Sequence, residues 1–334
     1  MNNFKKLGWV SFIFLAFFLL VSLPSAQCGE ATGNAPIMVA SQEATIPLTA
    51  NALTGATESD CPYTLTFKLA AVALHREDNK SENLMPLIGA GDLNLGWAPG
   101  MDASLMLQNE CYGIELRYLG LHQWDESKTA SYIWLPGLYQ DGGTGSAKFR
   151  SALHNAELNL HWWPCANDRY SLLMGFRWFQ LRDRLSLSFF EEETNRVTNF
   201  IDVGEGISSR NDLYGGQVGV EGLLFGQRDK GFSIDGSVKA GVFANRIRNK
   251  VSGMFEGSEN GIPESDSISE SWNRTKTAFL SEVVLNANYA FTKNIAMAVG
   301  YEFLYVNKVA VPVNELSTQS VIFQGGRMGL NVAF

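Results

Sequence analysis

From Tyr63 onward the chain alternates apolar and polar residues with a period of two. That spacing belongs to a β-strand whose two faces meet different surroundings. The last stretch shows it most plainly. Arg327, Gly329, Asn331 and Ala333 alternate with Met328, Leu330, Val332 and Phe334. The same pattern marks strands near 112–124, 152–162, 170–180, 212–224, 232–246, 279–291 and 295–305. Weaker alternation places two earlier strands near 63–75 and 95–107. One register carries Ile114, Leu158, Phe176, Val218, Leu285 and Tyr301. The other carries Glu115, Arg117, Glu157, Arg177, Glu221, Asp235, Lys239, Glu282, Glu302 and Arg327.

The connections decide between a soluble sandwich and a barrel. Short ones fall at 108–111, 164–168, 226–231 and 291–294, and long ones near 76–91, 125–147, 190–210, 254–271 and 312–320. Short turns at one end and long loops at the other are what a transmembrane barrel shows. A sandwich has no reason to sort its loops in this way. The prediction is an all-β fold: a transmembrane antiparallel up-and-down β-barrel of about ten strands, with both termini at the periplasmic end. The apolar register then faces lipid and the charged register faces the lumen. Trp124, Trp162, Trp178, Tyr289 and Phe291 sit near strand ends, where amphipathic rings favour the membrane interface. Trp163 has inward parity. Phe334 ends an alternating strand on an aromatic residue, which resembles the signal read by barrel-assembly machinery.

The first residues change the picture by adding export. Lys5 and Lys6 precede an apolar run from Leu7 to Leu23, and Pro24-Ser25-Ala26 follows. This is the order of a secretory signal peptide, assigned to 1–28. A single membrane anchor is the rival, disfavoured by the proline and small residues. Gln27 before Cys28 disfavours a lipoprotein. Residues 29–60 are rich in Ala, Thr, Ser and Gly and are assigned to a flexible periplasmic extension, with the barrel at 61–334. The charge is −8, and removing Lys5 and Lys6 with the signal takes it to −10. An acidic chain argues against nucleic acid as a partner. The expected partners are outer-membrane lipid and the assembly machinery.

Candidate chemistry is sparse. The cysteines are Cys28, Cys61, Cys111 and Cys165, with no CxxC pair. Cys111 opens one strand and Cys165 follows its antiparallel neighbour, so a Cys111–Cys165 disulfide is one pairing; Cys61 is the competing partner, and free thiols the plain alternative. His154 and His161 lie seven apart and face opposite sides, so they form no metal pair. His75, His122, Asp125 and Asp183 fall near external strand ends, where a hydrolase would need its acid and base, but rim residues are the simpler reading. No GxSxG, HExxH or P-loop is present. No enzyme, cofactor or metal site is expected. Glu191-Glu192-Glu193 and Glu264-Ser265-Asp266 make two acidic loops, read as solvated rather than as binding divalent cations or bridging to lipopolysaccharide. A ten-stranded barrel is close to being filled by its own side chains. The inward charges therefore point to a mixed-charge network with at most a narrow path. A selectivity filter is the sharper alternative, and loop display to a surface partner is the reading from another class.

The order of segments carries a resemblance. Phe149–Asn159 is followed by Leu173–Phe179, then Asn211–Gly219, then Val238–Phe243. This succession resembles the putative β-barrel porin family number seven, typical of planctomycetes, across most of 60–334. The resemblance implies an outer-membrane barrel and transfers no catalytic residues.

Overall fold

The computed structural model describes residues 63–78, 83–85, 88–89, 96–109, 111–133, 142–164, 169–195, 197–227, 230–259, 262–312 and 318–334. The signal and extension assigned to 1–60 lie outside them. The strands are β1 (Thr64–Asp78), β2 (Asn83–Met85), β3 (Ile88–Gly89), β4 (Trp97–Gln108), β5 (Tyr112–Ile133), β6 (Gly142–Trp162), β7 (Tyr170–Asn195), β8 (Val197–Gly226), β9 (Gly231–Glu259), β10 (Ile262–Ala290), β11 (Ile295–Ala310) and β12 (Thr318–Ala333). β2 and β3 pair only with each other. The other ten close into one antiparallel ring, in which β1 pairs with both β4 and β12. Closure gives every strand two neighbours, so no row of peptide groups is left facing lipid.

The alternation explains the wall. Leu116, Leu158, Phe176, Val218, Leu285, Tyr301 and Met328 are exposed on the outer face. Glu115, Glu157, Arg177, Glu282 and Glu302 are buried on the inner one. On β7 the apolar part of the outer face runs from Tyr170 to Trp178. Eight steps of about 3.4 Å give ~27 Å along the strand, or ~21 Å of height at a tilt of about 40°. That is close to the roughly 25 Å apolar band of outer-membrane barrels.

Two expectations need correction. The stretches 125–147, 190–210 and 254–271 are mostly strand rather than loop. β7 runs to Asn195 and β8 begins at Val197; β9 runs to Glu259 and β10 begins at Ile262. Beyond the membrane both faces of a hairpin meet water, so apolar alternation stops while backbone pairing continues. Ile262–Ser271 is exposed at every position. The wall is consequently uneven: β8 has 30 residues and β4 has 12.

Trp124 is the second correction. Its position near a strand end suits an interfacial ring, but it is 2% exposed and its ring centroid lies 5.6 Å from that of Phe323, inside the barrel. The register of β5 against β6 shifts between Leu121 and Trp124. This bulge turns the inward set from odd to even numbers.

Candidate functional site

The interior is stacked in layers. At the short-turn end, Glu115 accepts a bond from Asn159 at 3.1 Å and lies 3.4 Å from His161. Trp163 stacks on His161 with centroids 5.7 Å apart. Lys68 meets Glu221 at 3.6 Å, and Asp235 accepts from Asn286 at 2.9 Å and Asn288 at 2.6 Å.

The next layer is an ion network spanning the lumen. The Arg117 guanidinium reaches Asp102 at 2.8 Å, Glu157 at 3.2 Å and Glu302 at 3.2 Å, and also donates to Glu282. Arg177 meets Glu282 at 2.6 Å and Glu157 at 3.6 Å. Lys239 bonds Glu157 at 2.8 Å, and Arg327 meets Asp102 at 2.9 Å and Glu302 at 3.4 Å. Arg117, Arg177, Lys239 and Arg327 thus face Asp102, Glu157, Glu282 and Glu302 in equal number. Asn155 and Gln217 add hydrogen bonds: Asn155 accepts from Arg177 at 2.6 Å and Gln217 donates to Glu157 at 2.8 Å. Buried charges are tolerable only when paired and hydrogen-bonded in this way.

Above the ions lies an apolar layer. Leu74, Leu119, Leu153, Phe179, Leu181, Leu213, Leu304, Val306 and Phe323 are fully buried there. Over it Arg76 forms a two-pronged pair with Asp183, at 2.6 and 2.9 Å, and donates to Ser151 at 2.5 Å. Its guanidinium also sits 5.6 Å from the Phe149 ring centre and 5.9 Å from that of Phe323, distances suited to cation–π attraction.

A backbone strap completes the stack. The β11–β12 register shifts after Val306, and Lys308 has a positive φ of 53°. Val309, Ala310 and Val311 then turn inward and are buried. Asn211 on β8 clamps the strap: its Nδ2 donates to the Ala310 carbonyl at 2.8 Å and its Oδ1 accepts from the Ala310 N–H at 2.8 Å. Asn245 on β9 donates to the Lys308 carbonyl at 3.0 Å. Asn211→Ala leaves both Ala310 groups without that partner in a buried place. A loss of about 1–3 kcal/mol is expected, from the cost of an unsatisfied buried polar group. Faster amide hydrogen exchange at Ala310 would register it; unchanged exchange and an unchanged unfolding midpoint would contradict the clamp.

A model of the family described as Putative beta barrel porin-7 (BBP7) matches residues 113–321. The chain belongs to the BBP7 family. It is an outer-membrane β-barrel protein. No curated protein matches it. Solved structures similar to it include the outer membrane protease OmpT from Escherichia coli, at 13% identity over 83% of this chain and 99% of that one, with a TM-score of 0.41. Neisserial surface protein A is 12% identical over 81% and 97%, with a TM-score of 0.27. Acinetobacter baumannii CarO is 12% identical over 79% and 97%, with a TM-score of 0.24.

His75, Asp183 and Asp125 of this BBP7 chain each have other partners. His75 packs its ring 5.8 Å from Trp97, whereas Asp183 is buried against Arg76. Asp125 pairs outward with Lys148 and Arg150, both at 3.4 Å. His154 bonds the Tyr118 hydroxyl at 2.8 Å. The His122 side chain lies outside the described residues. Cys111 is exposed. Cys28, Cys61 and Cys165 lie outside the described residues, as does the Cys111–Cys165 pairing. Among the described residues, no cluster of His, Cys, Asp or Glu suits a metal ion.

Sequence reasoning missed Asp102, Arg76 and the strap. Asp102 was within reach, because Met101, Leu105 and Leu107 are apolar at odd positions and place it on the inner face. The strap had no such signal, since Val309, Ala310 and Val311 follow polar Asn307 and Lys308 as an apolar run without alternation.

Proposed function

We propose that this barrel is a structural outer-membrane protein with a sealed lumen, not an open aqueous channel. The observation that carries the reading is the continuous apolar layer between two ionic ones, roofed by the clamped strap. Water and ions crossing it would have to displace Phe179, Phe323 and Leu181, each fully buried. The ionic layer beneath then acts as a girder: it ties β4, β5, β6, β7, β9, β10, β11 and β12 together across the lumen. The balance of signs supports this over a selectivity filter, whose charged ring would carry one sign.

In planar bilayers the folded chain is expected to give no steady single-channel steps. Reproducible ohmic steps from heat-modifiable, folded protein would overturn the sealed reading. One observation favours a second role for the same barrel. β10 stands in water on both faces over Ile262–Ser271, paired with β9, and offers a tall sheet edge to a surface partner.

A further inference from the structure

Outside the lumen, the outer face of β6–β9 changes character within a few rows. Cross-strand register puts Ala156, Trp178, Tyr214 and Ala244 in one row. The following row is His154, Gln180, Asp212 and Arg246. The next is Ala152, Arg182, Arg210 and Arg248, and the one beyond is Arg150, Arg184, Ser208 and Lys250. Arg182, Arg210 and Arg248 are therefore direct neighbours on three adjacent strands. Like charges set opposite one another destabilise a sheet unless an anion joins them.

The chain supplies little of that anion. Asp212 is fully buried beneath the row. It accepts the Arg210 Nε at 2.8 Å and Gln180 at 2.5 Å, with Arg248 at 3.9 Å. This carboxylate fixes the base of Arg210. Asp125 serves Arg150 at 3.4 Å. Among the described residues no carboxylate lies within ion-pair distance of Arg182, Arg184 or Lys250. A groove of about 590 Å³ runs over Arg150, Arg182, Arg184, Arg210, Arg248 and Lys250.

Depth identifies the occupant. The Arg182 row lies four residues beyond the Trp178 row, or ~14 Å along the strand and ~10 Å of height at a tilt of about 40°. Below are the lipid-facing Phe176, Val218 and Val242. The basic rows thus stand at headgroup level, directly above acyl-chain level, at the end of the barrel opposite Thr64 and Phe334. Guanidinium groups match phosphate oxygens in geometry and charge. We infer that this outer face is a docking site for a phosphate-bearing lipid headgroup of the leaflet at the long-hairpin end. Its acyl chains lie along the apolar wall below.

The test titrates the folded, detergent-solubilised full chain with bisphosphorylated lipid A and with its dephosphorylated form. Arg182→Gln/Arg210→Gln/Arg248→Gln should weaken lipid A binding on the order of 100-fold, from the contribution of each cation near an anionic surface. The dephosphorylated lipid should bind the unaltered chain as weakly as lipid A binds the variant. A heat-modifiability gel checks that the variant folds. Should it not fold, the unaltered chain decides, because its lipid A affinity should fall steeply between about 0.05 and 0.5 M salt. Retained affinity in a folded triple variant, equal binding of the two lipids, or a flat salt dependence would overturn the inference. Displacement of lipid A by an equal concentration of inorganic phosphate would assign the groove to a free anion and overturn the lipid as occupant.

Discussion

Arg117→Met is expected to lower the unfolding free energy by about 3 kcal/mol, the low end of the cost of stripping one partner from a buried ion cluster. Arg117 is the hub, in contact with Asp102, Glu157, Glu282 and Glu302. Its loss leaves those four carboxylates with three cations. The cost stays at the low end because each keeps another partner: Arg327 at Asp102 and Glu302, Arg177 at Glu282, and Lys239 at Glu157. Adding Glu282→Gln to Arg117→Met restores the balance of charge and should recover about half of the loss. Denaturant unfolding in lipid vesicles, followed by tryptophan fluorescence, measures both. The coupling between the two sites comes from the double-mutant cycle. A single-variant loss below about 1 kcal/mol would mean that the network does not hold the wall.

The apolar layer gives the other large effect. Phe179 and Phe323 are fully buried with ring centroids 6.4 Å apart, and Phe323 also contacts Trp124 and Arg76. Phe179→Ala or Phe323→Ala alone should cost about 3–5 kcal/mol, through lost burial and the cavity left behind. Together they should cost less than the sum, because they open one shared space. The same vesicle unfolding experiment reads this out. Additive losses would show that the two rings do not belong to one layer, and losses under about 1 kcal/mol would show that the layer is loose.

What was legible in the sequence follows from what alternation can encode. It reports which side of a wall a residue faces, so Glu115, Glu157, Arg177, Lys239, Glu282 and Glu302 were identifiable as inward. It does not report which strands face each other across the lumen. Arg117 and Glu282 are 165 residues apart, and Arg76 and Asp183 are 107 apart. Nor does it survive a bulge. The shift after Leu121 moved Trp124 from the wall to the interior. The hairpins above the membrane carry no alternation, because water on both faces removes the pattern while leaving the hydrogen bonds. The strap at Val309–Val311 depends on Asn211 and Asn245, on strands far from it in sequence, and no local signal marks it.

Thiol accessibility probes the sealed lumen most directly. Leu153→Cys places a thiol in the buried layer and Arg184→Cys places one on the outer face, each in a chain whose own cysteines are replaced by serine. A small charged thiosulfonate added to the folded barrel in vesicles is expected to label the Arg184→Cys thiol within seconds to minutes, while the Leu153→Cys thiol stays unlabelled until denaturant is added. Labelling of both at similar rates in the folded barrel would show water standing where the apolar layer should be.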